Sequence, residues 1–334
     1  MIATRPSARQ RDVLDDRLLA LLRNRPSQAW SLEALAERLG HGATSIRAAL
    51  RRLDEAGYGF DHTGAGAWRF AAAPDRLVPT EIRWQLHTRR FGARIHAFES
   101  TASTMDVAHR LARGGSPEGT LVVAETQTEG RGRAGRSWVS PRGQGLYLSL
   151  ILQPSVVAAQ THQMTLLAAV AAARAIEQTT HLKPAIRWPN DLLLGDRKVG
   201  GLLTESRMER GSVSYVVVGL GLNVNAARAE LPAVATSLSV ASHRKIDRLA
   251  VLRVLLQTWE RWYDRWRAQG FDPVHRAFVE RCITLHHTVR IERQGQARIG
   301  QAIRLDEDGS LIVRWESGLE EPVHAGDVEL LQAT

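Results

Sequence analysis

Apolar positions near the start of the chain recur at helical spacing. Val13, Leu14, Leu18, Leu21 and Leu22 predict one amphipathic helix. A second is expected after Ser31, a good N-cap with Glu33 in the first turn, burying Leu32, Leu35, Ala36 and Leu39. Gly40-His41-Gly42 breaks it, and a third helix from about Ala43 should bury Ile46, Leu50 and Leu53. Tyr58 to Thr63 and Ala67 to Phe70, joined through Gly64-Ala65-Gly66, then read as a β-hairpin. Helix, glycine turn, helix and hairpin make the winged helix-turn-helix pattern, predicted over residues 1–75. Its third helix offers Thr44, Ser45, Arg47, Arg51 and Arg52 on the outer side, suited to phosphates and base edges. The same arginines also fit a solvated face, or a winged helix used for protein contacts, because Asp54, Glu55 and Asp61 lie close by.

Ala73 to Pro79 reads as a linker, and beyond it the pattern turns mixed α/β. Leu121–Ala124, Leu146–Leu150 and the valine-rich Ser214–Asn225 predict strands. Glu99 to Gly115 holds a polar start and then a helix with Val107, Ala108, Leu111 and Ala112. Gln163 to Gln178 is almost wholly apolar and reads as a core helix. Leu252, Leu255, Leu256, Trp259, Trp262, Tyr263 and Trp266 stripe a long amphipathic helix. From about His287 the chain breaks into short strands: Thr288–Glu292, Ala297–Leu305, Leu311–Trp315, Glu321–His324 and Val328–Leu331. That spacing suggests a small β-barrel. The fold class is therefore α+β multidomain: winged helix, a central mixed α/β domain over 80–284, and a barrel over 286–334.

With 334 residues, 44% hydrophobic and 24% charged, the chain is globular and long enough for two or three domains. Cys282 is the single cysteine, which excludes an internal disulfide or a paired-cysteine zinc site and fits a reducing cytoplasm. No apolar run approaches the ~18 residues that span a bilayer, and residues 1–16 lack the apolar stretch of a secretory signal. A net charge of +9 favours anionic partners without choosing among them.

Two segments carry the chemistry. Residues 130–136 read Gly-Arg-Gly-Arg-Ala-Gly-Arg between two predicted strands. Glycine permits positive φ and close backbone approach, while Arg131, Arg133 and Arg136 add planar cations suited to phosphate or carboxylate. Arginine-glycine tracts also occur in disordered RNA-binding tails, but this one is short and flanked by strands. The second segment runs from Arg187-Trp188-Pro189-Asn190-Asp191 to Lys198-Val199-Gly200-Gly201-Leu202-Leu203, with Gly195-Asp196 as a hairpin turn. Pairing across it sets Leu194 opposite Arg197 and Leu193 opposite Lys198, with Asp191 diagonal to Lys198, their bases roughly 7–8 Å apart. An acid and an ammonium so held could flank an acyl carbon without neutralising each other. An ordinary cross-strand ion pair, worth under about 1 kcal/mol if exposed, is the plainer alternative.

Together these segments strongly resemble the biotin protein ligase family. With the N-terminal winged helix, the resemblance is to the bifunctional members that also act as biotin operon repressors, and it covers nearly the whole chain. Ser103-Thr104-Met105-Asp106, Ala124-Glu125-Thr126-Gln127, Trp138-Val139-Ser140-Pro141 and the strand end at Gly219 to Asn223 support it. The resemblance implies a central sheet like that of class II aminoacyl-tRNA synthetases and an SH3-like C-terminal barrel. It implies ATP with Mg²⁺ and biotin as reactants, a biotinyl-AMP intermediate, and transfer to a lysine of a biotin carboxyl carrier protein. Lys198 and Arg133, with Arg131 beside them, are the candidate catalytic cations, and Asp191, from its diagonal placement, is expected to orient or deprotonate the incoming lysine. Ser103, Thr104, Met105, Gln127, Arg131, Gly132, Trp138 and Asn223 would join Arg133 and Lys198 in binding biotin and its adenylate. Ser100-Thr101-Ala102 offers a competing register for the ureido-reading serine, and no metal ligand is named. Operator DNA and a homodimer formed on adenylate binding are the further implied partners, in the cytoplasm and without a membrane. A ligase with a non-regulatory winged helix, or a lipoate or octanoate ligase of related fold, are the alternatives.

Overall fold

A computed structural model describes residues 8–63, 66–209, 211–293, 296–324 and 326–331. Contacts divide the chain after Asp75 into two units. In the first, α1 (Ala8–Asn24), α2 (Leu32–Leu39) and α3 (Ala43–Glu55) precede a hairpin of β1 (Gly59–His62) and β2 (Trp68–Ala72). Ser31 caps α2 as its sequence requires, its Oγ accepting from Ala34 N, and Gly40 ends the helix at φ 71°, a left-handed turn that glycine takes without a Cβ clash. Leu14, Leu18, Leu19 and Leu22 of α1 pack with Leu35, Ile46, Leu50 and Leu53. Val13 does not join them: it is 54% exposed, one helical step off the Leu14–Leu18–Leu22 face, and Leu19 takes its place. Trp30 adds an antiparallel bridge to Trp68, extending the hairpin. Part of the predicted hairpin turn, Gly64-Ala65, lies outside the described residues.

Arg52 departs from expectation. Instead of facing outward for a ligand, it reaches back to α1, where its Nε and Nη2 donate to the two Asp15 carboxylate oxygens at 2.8 and 2.5 Å. A planar fork matching a carboxylate ties the two helices together. Thr44, Arg47 and Arg51 remain exposed on α3, and Ser45 is half-buried.

The second unit continues with α4 (Pro79–Arg83), β3 (Ile95–Phe98), α5 (Thr104–Arg113), β4 (Leu121–Ala124), β5 (Gly145–Leu152) and α6 (Gln163–Thr180). Next come β6 (Ala185–Arg187), β7 (Asp191–Leu194), β8 (Arg197–Glu209), β9 (Ser212–Asn223), α7 (Leu238–Ser242), α8 (Arg248–Gln269) and α9 (Asp272–Val279). Among the described residues a mixed sheet runs β3-β4-β5-β9-β8-β7-β6. β3 and β4 are parallel, as a strand–helix–strand crossover through α5 demands, and the other pairs are antiparallel.

Strand alternation divides the sheet's cargo. Val216, Val218, Leu220 and Leu222 of β9 join the large core with α6 and α8, whereas Tyr215 and Val217 pack with Met105, Val107 and Ala108 of α5 on the other face. The alanine run of α6 is fully buried, and small side chains let α8 approach closely. Buried Arg248 opens α8 and donates to Glu125 Oε2 at 2.7 Å and Gly145 O at 3.2 Å, while Glu125 Oε1 accepts from Leu77 N. Every charged atom so used is compensated; removing one partner of such a pair typically costs about 3–5 kcal/mol.

The last strands are β10 (Thr288–Arg293), β11 (Gln296–Leu305), β12 (Leu311–Trp315), β13 (Glu320–Val323) and β14 (Asp327–Leu330), within a residue of their predicted bounds. They form an antiparallel sheet in the order β13-β12-β11-β10-β14. Trp188 fastens this sheet to the central one, its indole donating to Gly309 O at 3.2 Å.

Candidate active site

The α5 face of the sheet carries a cleft of about 490 Å³, lined by the start of α5, the 130–136 loop, the β7–β8 hairpin and the end of β9. Every cleft residue expected from the sequence lines it, from Ser103 to Asn223, and Ser100 does not. Its inner end is neutral and polar. Ser103 occupies the N-cap of α5 but makes no side-chain cap bond, and its buried Oγ has no partner among the described residues. Beside it a relay runs from Ser149 Oγ to Thr104 Oγ1 (2.9 Å) and on to Gln127 Oε1 (3.1 Å), which also accepts from Thr104 N at 2.9 Å. Gln127 Nε2 donates to Ser140 Oγ at 3.3 Å, and an amide carries a second hydrogen for a ligand.

The cleft's outer end is cationic: Arg131, Arg133, Arg136, Arg187 and Lys198 stand against Asp191 and Asp196 among the lining residues. In the loop, Gly132 N donates to Arg136 O at 2.6 Å and Trp138 N to Gly130 O at 2.8 Å. Its glycines do different work. Gly135 adopts φ 71°, whereas Gly130 serves close approach, since a Cβ there would lie 2.6 Å from Trp138 O. Arg133 donates to Asn190 Oδ1 at 3.0 Å, and Asn190 Nδ2 to Leu202 O at 2.8 Å, so the loop is tied to the Trp188–Asp191 segment.

The hairpin pairs Leu193 with Lys198 and Leu194 with Arg197, as expected. A bulge at Val199 then shifts the register, placing Asp191 opposite Gly201. The expectation that Lys198 and Asp191 stay apart is overturned. Lys198 Nζ lies 2.6 Å from Asp191 Oδ1, and Arg187 Nη2 lies 2.5 Å from Oδ2. The reason is steric: Gly201 has no Cβ, and one would come within 3.0 Å of Lys198 Cε, so the lysine stem lies back across the glycine to reach the acid. Burial raises the Asp191 carboxyl, but Lys198 and Arg187 outweigh it and hold it below the usual range.

Trp138 lies against β9. A Cβ on Gly221 would stand 2.3 Å from its Cε2, and Lys198 Nζ is 5.5 Å from its ring centroid. Trp138 Nε1 is buried without a partner among the described residues. Asn223 is buried and donates to Thr236 O at 3.0 Å, closing the far wall. Arg187, Asn190, Gly201, Gly219 and Gly221 belong to this site and were not assigned to it from sequence; the alternating Gly219 and Gly221 were the visible signal.

Residues 97–223 match the biotin/lipoate A/B protein ligase family. The bifunctional ligase/repressor BirA of Bacillus spizizenii is 34% identical over 324 residues, 96% of this chain and 99% of its own. The biotin–[acetyl-CoA-carboxylase] ligase of Paracoccus denitrificans is 34% identical over 226 residues, 65% of this chain and 93% of its own. The solved biotin protein ligase from Aquifex aeolicus, in complex with biotin and ATP, is 26% identical with a TM-score of 0.61, covering 72% of this chain and 100% of that one.

Proposed function

The chain belongs to the biotin protein ligase family, and from that premise we propose that it is a bifunctional ligase and repressor. It joins biotin to a lysine of a biotin carboxyl carrier domain using ATP, and it represses biotin-synthesis genes. The observation that carries the ligase reading is a cleft with a neutral hydrogen-bonding end and a cationic end. Biotin adenylate has the matching pattern, a urea at one end and a mixed phosphate anhydride at the other.

A carboxylate does not acylate an amine because oxide is a prohibitive leaving group. Attack of biotin's carboxylate oxygen on the α-phosphorus of ATP expels pyrophosphate and converts that leaving group to AMP. The carrier lysine's amine then attacks the acyl carbon, the C–O bond to AMP breaks, and the amine loses a proton as the amide forms. Both steps gather negative charge, which preorganised cations stabilise; one such group is worth about 3–4 kcal/mol, by analogy with oxyanion-hole donors. Lys198 and Arg133 take this role, Lys198 aimed by Asp191 and Arg133 by Asn190. Asp191 acts here by orientation, since a carboxylate flanked by two cations and held below its ordinary range is a weak base. Ser103 and Gln127 read the urea, Thr104 and Met105 line its pocket, and Trp138 packs the adenylate. Arg131 and the Gly132 amide complete the loop over it. Among the described residues no cluster of three or more His, Cys, Asp or Glu forms a metal cage, and Mg²⁺ brought by ATP would need none, since that ion is usually held by substrate phosphates and water with one or two carboxylates.

The N-terminal unit is read as a winged helix-turn-helix, with Thr44, Ser45, Arg47 and Arg51 toward DNA, and the C-terminal sheet as an SH3-like barrel. Adenylate-dependent homodimerisation would set two such helices on a two-fold operator. No described helix is long and apolar enough to cross a membrane, and the cytoplasm is the proposed compartment. A lipoate ligase fits less well, because a dithiolane ring offers no N–H or C=O to Ser103 and Gln127.

Biotin-dependent pyrophosphate release from ATP, followed by biotin transfer to a carrier domain, tests the enzyme directly. Equal or better turnover with lipoate would overturn the biotin assignment. Retardation of the promoter of its own biotin genes, with and without biotinyl-AMP, tests repression; no sequence-specific shift would leave a ligase alone.

A further inference from the structure

Outside the cleft, a polar network lies beside the base of the 130–136 loop. Arg131 Nη2 is 2.7 Å from Asp106 Oδ1 and 4.0 Å from Glu205 Oε1. Glu205, on β8, lies 2.8 Å from His109 Nε2, and His109 Nδ1 lies 3.2 Å from the Tyr215 hydroxyl. With its hydrogen on Nε2, His109 donates to Glu205 and accepts from the Tyr215 hydroxyl. The His109 hydrogen bond, with the Arg131 charge nearby, holds the Glu205 carboxyl below its ordinary range.

The four anchoring residues do not line the cleft, so substrate contact does not explain them. Their placement does: Asp106 sits in the first turn of the helix that carries Ser103, Thr104 and Met105 at its start. A contact from this turn to Arg131 joins the loop over the phosphate end to the helix that lines the urea end. The Arg131, Asp106 and Glu205 side chains are each about two-fifths exposed. Exposed ion pairs are individually weak, which suits a contact that opens and closes once per turnover.

We propose that Asp106 and Glu205, the latter fixed by His109, form a latch on Arg131 that sets how long the loop stays shut over the acyl-adenylate. They are positioning residues, and the proposal rests on the ligase reading above. The latch slows adenylate escape between the two half-reactions while leaving the groups at the reacting carbon untouched.

The test is biotinyl-AMP dissociation measured by stopped-flow on the full-length protein. Asp106→Ala and Glu205→Gln should each speed release roughly two- to fivefold, the upper part of the range for exposed ion pairs. Asp106→Glu should stay within about twofold of wild type. In an Arg131→Ala background, Asp106→Ala should add less than about twofold, because the partner is already gone. A purely structural role would give additive effects and lowered Tm without rescue by glutamate. Wild-type release rates in both single variants, or full additivity, would overturn the latch. A wild-type protein that forms no biotinyl-AMP would instead sink the ligase reading, so the two failures are told apart.

Discussion

Lys198 and Asp191 share a 2.6 Å ion pair across a bulged hairpin, and the acid's other oxygen is taken by Arg187. A lysine so held presents a fixed ammonium to the cleft rather than a mobile one. The entropy of ordering its stem is met on folding instead of at the transition state.

Lys198→Ala should therefore lower kcat/KM for biotin-dependent pyrophosphate release by about 10²–10³-fold, the usual loss for one preorganised donor. Asp191→Asn keeps the shape and loses the charge, so a drop of about tenfold is expected. Near-normal turnover in Lys198→Ala would remove the residue from the mechanism.

The pH dependence follows from the sign of the Asp191 shift. A carboxyl whose folded value lies below the ordinary 3.8 contributes stability at all pH above its unfolded value. That contribution fades only as pH falls through the folded value, below about pH 4. Between pH 5 and 8 the kcat profile should carry no limb from this group. An acidic limb that Asp191→Asn abolishes would show the carboxylate working as a base.

Gly221 and Gly219 make a contrasting pair. A methyl at Gly221 would sit 2.3 Å from the Trp138 ring, whereas one at Gly219 meets the Met105 sulfur at 2.7 Å, at the end of a flexible side chain. Gly221→Ala should displace the tryptophan and raise KM for ATP about tenfold or more, with Gly219→Ala within about threefold. Equal effects would mean that Trp138 does not pack the nucleotide.

On the N-terminal unit, Arg47→Ala and Arg51→Ala should each weaken operator binding and lower the salt slope by about one unit, as lost phosphate contacts do. Arg52→Ala should leave the slope unchanged and lower Tm instead, because its guanidinium holds Asp15 of α1. Gel shift across a salt series, with calorimetry alongside, separates the two.

Local pattern made much of this legible. β4 and β12 fall where apolar runs put them, and Ser31 and Gly40 bound α2 because capping chemistry lies within a few residues. Contacts between distant segments were not legible. Arg52–Asp15 spans 37 positions and Arg248–Glu125 spans 123, and no periodicity encodes either. The bulge at Val199 was hidden too, since a single inserted residue leaves the surrounding pattern intact while moving the acid opposite a glycine. Helix α9 escaped because no capping side chain announces it: Phe271 precedes it, whereas the equally short α2 is bounded by Ser31 and Gly40.

Strand β9 puts hydrocarbon bulk toward α6 and α8 at Val216, Val218, Leu220 and Leu222, and bare backbone toward the cleft at Gly219 and Gly221. From Val218 to Leu222, tolerance to substitution should thus switch residue by residue, even positions failing through lost folding and odd ones through lost ligand. A variant library read separately for abundance and for activity would trace that alternation as two interleaved profiles.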